Sequence, residues 1–430
     1  MPPGPKHPPT RTEEHAIPSQ PEGELVHPAL VVAFPRSIAV PFPPSREPIG
    51  RDFLASVGLR DTEVSRAHAA FSRPGGVLHV EDAGSRNGTF LDGRRLAPGE
   101  RAQAVDGAIL RIGRTIFVIR EALAGPFTAS PPLGRLVGPF GLRAVEATLR
   151  ALGARPPHNV LIEGETGTGK ELVAEEIARV LGRRTPYTAV NVAGVASGVF
   201  ESQLFGHVAG AFSGAGKGQR GVILAHDKGA VFLDEIGEIA LDLQPKLLRL
   251  LDNREVLPVG AERPVRVDVL VIAATNRSLE AMVEAGTFRR DLLARLAAAR
   301  VDLPPLRERA EDLMAIAQAM AEQRGGRYHE ERVEIEAVER LLLHPFSSNV
   351  RELAAMLDRI AQHAPPPSLP LWAVERVLGA APSARSGQLS DIAVRDALAA
   401  EGGNETRAAA RLGVSRGKLR RFLAARNQPP

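Results

Sequence analysis

At 430 residues the chain is longer than a single hydrophobic core serves, and its ordinary apolar and charged content points to about two to four globular domains. It has no cysteine, which excludes a disulfide framework and a thiolate zinc site, and no apolar run near the roughly 18 residues of a membrane span. The net charge is only +4, from 54 basic and 50 acidic residues, yet seven Arg or Lys against the single acid Glu405 crowd residues 404–430. Such a basic end suits either a solvated face or nucleic acid.

Residues 1–24 are rich in Pro and polar residues and lack the apolar core of a signal peptide, so they read as a disordered tail on a cytoplasmic protein with no membrane partner. From 25 to 121, short apolar runs (29–34, 38–42, 77–80, 109–112, 115–119) alternate with Gly, Pro and Asp turns. That pattern predicts an all-β sandwich. Three loop clusters interrupt it: GRD at 50–52, SRAH at 65–68 and SRNGTFLDG at 85–93. They offer Arg51, Arg66 and Arg86 beside Ser65 and Asn87, forked cations and short hydrogen-bonders that suit a phosphate dianion. Taken singly, Asn-Gly is a hairpin turn and the arginines are a solvated face.

In this order and spacing, the three clusters resemble the forkhead-associated (FHA) domain over about residues 38–120. The resemblance implies binding of a phosphothreonine-containing protein through Arg51, Ser65, Arg66 and Asn87. Gly50, His68 and Gly88 would shape the loops, with His68 a packed structural residue. Arg86 stands where the family usually has a small hydroxyl residue.

GPFTASPPLG, within 122–134, reads as a linker. Beyond it, from 135 to 303, three apolar runs predict buried parallel strands that end in polar residues: NVLI (159–162) before EGETGTGKE, AVFL (230–233) before Asp234 and Glu235, and VDVLVIAA (267–274) before Thr275 and Asn276. Ligands gather at the carboxyl ends of strands in open α/β sheets, so these tips predict a nucleotide site. GETGTGK has phosphate-loop spacing: glycines Gly164, Gly167 and Gly169 turn backbone N–H groups on the phosphates, and Lys170 reaches the terminal ones. Val173, Ile177, Val180 and Leu181 share one helical face, so the loop opens a helix N-terminus that favours anions. Glu171 occupies the place where general phosphate loops put a magnesium-binding Ser or Thr. Asp234 would hold Mg2+ and Glu235 would orient water as general base; an isolated Asp-Glu pair would be a helix start. Between these motifs lies GAFSGA, on its own residues a surface loop with Phe212 as its anchor.

The set GETGTGKE, LFGHVAGAFSGA, VFLDEIGEI, FRRDLLARL, LPPLRER and NVREL closely resembles the central AAA+ ATPase of sigma-54-dependent transcription activators, from about Leu133 to Ala364. The resemblance implies an α/β subdomain (135–303) with a helical lid (304–364) that binds ATP through Gly164, Glu165, Thr166, Gly167, Thr168, Gly169, Lys170 and Glu171. Glu171 is the family's usual residue. Asp234 and Glu235 would be the magnesium and water residues, Asn191 would restrain the glutamate, Thr275 and Asn276 would sense the γ-phosphate, and Arg351 would contact nucleotide from the lid. Arg289 and Arg295 match arginines that complete a neighbouring subunit's site, which implies self-assembly into a ring; without the resemblance they read as surface ion pairs with Asp291 or other acids. The loop Gly210, Ala211, Phe212, Ser213, Gly214 and Ala215 would engage sigma-54 RNA polymerase. Ser213 stands for the usual Thr, and Phe346, Ser347 and Ser348 replace the usual Trp-Pro-Gly.

A second linker is expected over 365–388. NETRAAARLGVSRGKLRRFLAAR, within 389–430, reads as two helices about a tight turn, with Asn404 and Ser415 as caps and Gly413 at the left-handed exit. Leu419, Phe422 and Leu423 face inward and leave Ser415, Arg416, Lys418, Arg420 and Arg421 for a DNA groove and backbone, an all-α helix-turn-helix. A basic helical hairpin packed on a protein is the competing reading. The Gly-Val-Ser turn resembles the Fis-type DNA-binding end of the same activators and implies upstream promoter DNA as partner. The combined expectation is a sigma-54-dependent activator that couples ATP hydrolysis to promoter opening under phosphothreonine control. The alternatives are a phosphopeptide-regulated DNA-binding protein whose ATPase is only an assembly switch, and an AAA+ remodeller that works without sigma-54.

Overall fold

A computed structural model describes residues 26–43, 47–194, 197–213 and 215–379. The tail expected over 1–24, Gly214 of the Phe212 loop, and the helix-turn-helix with Ser415, Arg416, Lys418, Arg420 and Arg421 lie outside the described residues. No helix among the described residues is long and apolar enough to cross a membrane.

The N-terminal region is a sandwich of two antiparallel sheets. Six strands follow the order Ile38–Pro41, Val26–Phe34, Thr115–Ala124, Ile109–Ile112, Thr89–Leu91, Arg94–Arg95, and four follow the order Pro48–Ile49, Ala69–Ser72, His79–Asp82, Arg101–Gln103. Strands with one covered face alternate, as in Ala69–Ser72. The run TIFVI at 115–119 does not alternate and is buried throughout. Its two faces serve two cores: Phe117 and Ile119 join Leu30, Val32 and Leu110 inside the sandwich, while Ile116 and Val118 join the core of a helical domain beyond. One loop expectation changes, because GRD opens a short helix, Arg51–Ser56.

The expected linker after residue 121 is a packed strap. The strand Thr115–Ala124 continues past it, and Phe127 packs against a small core of Ala29, Val31, Ala39, Leu123 and Phe140. Buried Arg143 then donates to the carbonyls of Ala124, Pro126 (2.5 Å) and Thr128 (2.7 Å). A segment rich in Pro has few backbone donors of its own, and one guanidinium fork satisfies three of its acceptors.

The central α/β region is a five-stranded parallel sheet in the order Tyr187–Asn191, Ala230–Asp234, Leu270–Thr275, Asn159–Glu163, Arg300–Asp302. The three expected strands occupy its middle, and the two outer ones carry weaker apolar runs. Helices Arg143–Ala154 and Lys170–Val180 cover one face, with Val173 and Ile177 fully buried as their spacing predicts. The lid packs helices Leu313–Gln323, Ile335–Leu342, Asn349–Ala361 and Leu371–Leu378. The last falls within the second expected linker, yet Leu369, Ala373 and Val374 are fully buried in the lid core, so the lid runs on to it.

Candidate functional site

The three strand tips meet. Gly164 N–H donates to Thr275 O (3.2 Å), which ties the phosphate loop to the strand that carries Thr275 and Asn276. Asn276 Nδ2 donates to Thr166 Oγ1 (2.9 Å). Lys170 Nζ donates to the carbonyls of Gly164 (2.9 Å) and Glu165 (3.0 Å), folding back over its own loop. Its ammonium titrates below the ordinary lysine value because it is half buried; Arg351 pushes the same way, and Asp234 and Glu235 oppose. Lys170, Asp234, Glu235 and Arg351 therefore share one electrostatic neighbourhood. Glu171 opens the helix on its exposed side.

Asp234 ends its strand in register with Asn191 on the neighbouring strand. Glu235 sits at φ 58°, a left-handed conformation unusual for a glutamate, with its N–H donating to Asp234 Oδ1 (3.0 Å). Such backbone persists only where the surroundings impose it, and it concentrates at functional sites. Asn191 Oδ1 accepts from Ala193 N–H (2.7 Å) in its own turn, and among the described residues no hydrogen bond joins it to Glu235.

The lid closes directly on the phosphate loop, by contacts that motif reading missed. Asn349 is fully buried at φ 55°; its Oδ1 accepts from Leu306 N–H (2.7 Å) and its Nδ2 donates to Glu165 Oε2 (3.1 Å) and Thr166 O (3.0 Å). Arg307 grips the same Glu165 carboxylate with two bonds of 2.6 and 2.7 Å. These bonds, Arg307 first, hold Glu165 down to a pKa of about 2. Arg351 N–H reaches Gly167 O (3.3 Å). The substituted hinge before it is well held: Phe346 is buried, and Glu352 accepts from Ser348 N–H (2.8 Å), Ser347 Oγ (3.2 Å) and His344 Nε2 (2.8 Å), a helix-start cap by side chain. Beside the loop a mostly apolar cavity of about 230 Å³ is lined by Leu136, Val137, Leu172, Met320 and Val350 together with Thr168 and Gly169. A flat base attached to phosphates at Lys170 fits such a slot. The only sequence signal for it was hydrophobicity, which core residues share.

Arg289 and Arg295 stand apart from these groups on the exposed surface. Arg289 pairs with Asp291 through two bonds of 3.0 and 2.7 Å, and Arg295 pairs with Asp252 at 2.5 Å. The Phe212 loop rises from the strand pair Gly206–His207 and Gln219–Arg220. It is closed by Gly210 N–H to Ala215 O (2.7 Å) and Ala215 N–H to Phe212 O (3.0 Å), with Ala215 buried. Phe212 itself is 48% exposed and leans on His207, ring centroids 5.0 Å apart. His207 is anchored by Ser202 Oγ and Lys217 O. Residue 259 of a second hairpin braces the base, exchanging backbone bonds with Val208 and Gly206.

In the sandwich, backbone contacts bring the three loop clusters together. Gly50 is required because a Cβ there would lie 1.8 Å from Arg66 O, and Arg51 N–H donates to Ser65 O (3.0 Å). Fully buried His68 accepts from Ser65 N–H at Nδ1 (3.0 Å), so Nε2 carries the proton and donates to Gly88 O (3.1 Å). Burial lowers its pKa and keeps it neutral. Ser65 Oγ accepts from Arg86 N–H (3.0 Å), and Asn87 Nδ2 donates to Glu63 O (2.6 Å). Arg51 braces the carbonyls of Val64 and Thr62, each at 3.2 Å. Asp82, not singled out by sequence, binds Ser85 Oγ (2.6 Å) and Thr89 Oγ1 (2.7 Å); burial would raise its pKa, but these bonds prevail and lower it. Arg51, Arg66 and Arg86 are exposed, and none pairs with a carboxylate among the described residues.

The fold and these two sites define a phosphate-loop α/β domain of AAA+ type with its lid, joined to an FHA-like sandwich. Residues 142–302 match the sigma-54 interaction domain, and residues 48–113 match the FHA domain. Among curated proteins the chain is 45% identical over 206 residues to the regulatory protein LuxO of Vibrio cholerae, covering 47% of this chain and 39% of that one. It is 48% identical over 204 residues to the anaerobic nitric oxide reductase transcription regulator NorR of Escherichia coli O139:H28, covering 47% and 40%. The chain thus spans about two fifths of the length of these relatives. Among solved structures, NtrX from Brucella abortus superposes with a TM-score of 0.50 at 26% identity, over 68% of this chain and 69% of that one.

Proposed function

We propose that the chain is an ATP-driven activator of sigma-54-dependent transcription, steered by a phosphothreonine-containing protein. One observation carries the reading: Lys170, Asp234, Glu235, Thr275 and Asn276 gather at one phosphate loop inside the match to a sigma-54 interaction domain, on the same module that presents Phe212, and Arg351 reaches that loop from the lid beyond the match.

Lys170 and the loop N–H groups bind the ATP phosphates, and the apolar slot beside Leu136 and Met320 takes the base. Among the described residues no cluster of three or more His, Asp or Glu is arranged to hold a metal alone. A single strand-tip carboxylate fits Mg2+ that arrives on the phosphates, so Asp234 would hold it and the ion would neutralise phosphate charge. Glu235 orients water and takes its proton. Thr275 and Asn276 read the terminal phosphate. Asn191, opposite Asp234 in the sheet, would restrain the glutamate. Arg289 and Arg295 lie on the surface, where a neighbouring subunit in a ring would use them in place of Asp291 and Asp252; such arginines are worth roughly 10³-fold or more in rate. The Gly210–Ala215 loop, including Ser213 and Gly214, transmits the cycle to sigma-54. At the sandwich, Arg51, Ser65, Arg66 and Asn87 take the phosphothreonine, and residues 389–430, with Ser415, Arg416, Lys418, Arg420 and Arg421, hold promoter DNA.

The test is ATP-dependent open-complex formation on a sigma-54 promoter, comparing the full chain with Phe212→Ala and Ser213→Thr. Opening that disappears in Phe212→Ala while ATP turnover persists is the expected result. ATP hydrolysis with no opening by the wild-type chain, with or without phosphopeptide, would replace this reading by the assembly switch.

A further inference from the structure

The phosphate loop is touched at one more point, from a direction that leads to the sandwich. Arg309 of LPPLRER is 1% exposed; its Nη2 donates to Thr168 O at 3.1 Å, and its Nε finds no partner among the described residues. A buried guanidinium needs anions in reach. Burial pushes its pKa down against the charges of Asp312 and Glu311, two neighbouring carboxylates with which it forms no ion pair among the described residues. Asp312 is committed to the N–H groups of Phe140 (3.0 Å) and Gly141 (3.0 Å). Glu311, its side chain 3% exposed, is gripped by Arg120 of the sandwich strand Thr115–Ala124, at 3.1 Å from Nε and 2.5 Å from Nη2. The same Nη2 donates to Glu308 O at 2.6 Å. Of the two arginines near this buried carboxylate, Arg120 alone is bonded to it among the described residues.

We propose that Arg120 is a positioning residue for the phosphate loop: by holding Glu311 it leaves Arg309 to bind the Thr168 carbonyl, so the sandwich is a structural part of the nucleotide site. The proposal rests on the reading of residues 164–171 as that site. Without Arg120, Glu311 would be a buried carboxylate lacking its partner, and Arg309, two residues before it, carries an unpartnered Nε donor. A charge-assisted pair outcompetes a bond to a neutral carbonyl, so Arg309 turns away from Thr168. Thr168 lies between Gly167 and Gly169, both at positive φ; its N–H and Oγ1 turn back to Glu165 O, and the bond from Arg309 is the one hold on its carbonyl among the described residues, so that bond orients the Thr168–Gly169 peptide.

The experiment titrates N-methylanthraniloyl-ATP into the full chain. Arg120→Ala is expected to weaken binding about tenfold, the scale of one lost bond to a charged group. Arg114→Ala is the control: Arg114 crosses the same interface to Glu330 O (3.0 Å) and Val333 O (2.9 Å) but touches nothing near Arg309, so affinity stays within about twofold even if the melting temperature falls. Adding Glu311→Gln to Arg120→Ala restores affinity, because no carboxylate remains to draw Arg309 away. Arg120→Lys, which keeps the charge but cannot grip both Glu311 oxygens and Glu308 O, weakens binding about threefold, again reversed by Glu311→Gln; it serves if the alanine variant does not fold. Equal affinities for Arg120→Ala and Arg114→Ala, or no rescue by Glu311→Gln, overturn the relay and leave the nucleotide site standing. No binding by the wild-type chain overturns both.

Discussion

Gly167→Ala tests whether the lid and the phosphate loop form one device. A Cβ at Gly167 would lie 2.2 Å from Ser348 O and 2.9 Å from Arg351 Cβ, and the residue sits at φ +79°. The left-handed backbone costs an alanine about 1–2 kcal/mol. The clash is with backbone that Glu352 holds in place, so the lid helix Asn349–Ala361 must retreat by about 1 Å to restore ordinary contact. The Arg351 N–H bond to Gly167 O then goes, a further ~1 kcal/mol. Together these are about 2–3 kcal/mol of stability; the lost lid contact, ~1 kcal/mol, is the part that lowers nucleotide affinity, roughly fivefold. Gly182→Ala is the reference, because Gly182 has φ +68° but nothing within 4 Å of a Cβ, so it has the backbone cost without the collision. Fluorescent-nucleotide titration of both variants decides the matter. Gly167→Ala binding within threefold of wild type would refute the claim that lid contact at this glycine governs the site.

Lys170→Ala should abolish nucleotide binding and turnover, and wild-type hydrolysis by that variant would overturn the site. Arg51→Ala should remove phosphothreonine-peptide binding in calorimetry and leave ATP affinity unchanged; because Arg51 also braces Thr62 and Val64, about 1 kcal/mol of stability goes with it. Ile116→Ala, at the face shared by sandwich and lid, should cost about 2–5 kcal/mol and lower the melting of both together, whereas loss confined to the lid would show the two cores to be independent. For Glu165 the folded pKa is depressed to about 2 from 4.5, so its contribution to stability is full above pH 4.5 and is lost as pH falls toward 2. Glu165→Gln should therefore flatten the acid limb of a melting-temperature profile between those values, and an unchanged slope would show that Arg307 holds nothing there.

The phosphate loop and the strand tips beside it were legible because their parts are local. Glycines at 164, 167 and 169 with Lys170 constrain a seven-residue loop, and apolar runs ending in Asp234 or Thr275 announce strand tips without reference to any other segment. The slot at Leu136 and Met320 was not legible, since an apolar residue that lines a cavity looks like one that fills a core. Asn349 was hidden for a related reason: its chemistry is a partner set of Leu306, Glu165 and Thr166, drawn from two stretches far from its own.

By itself the sequence determined the middle three strands of the parallel sheet and the longer sandwich strands, the phosphate-loop helix, the placing of Phe212 on a glycine-rich turn, and the three polar clusters of the sandwich, because each follows from periodicity, backbone freedom or charge within a few residues. The run at 115–119 was one apolar run among several in the sequence; that it is covered on both faces emerged only with the fold. Only the tertiary structure decided what covers it. Burial of Ile116 and Val118 against the lid, and of Arg120 against Glu311, depends on surface shape and on desolvated charge finding a partner about 190 positions away in the chain. Such pairings are set by the free energy of the assembled molecule, to which no local pattern answers.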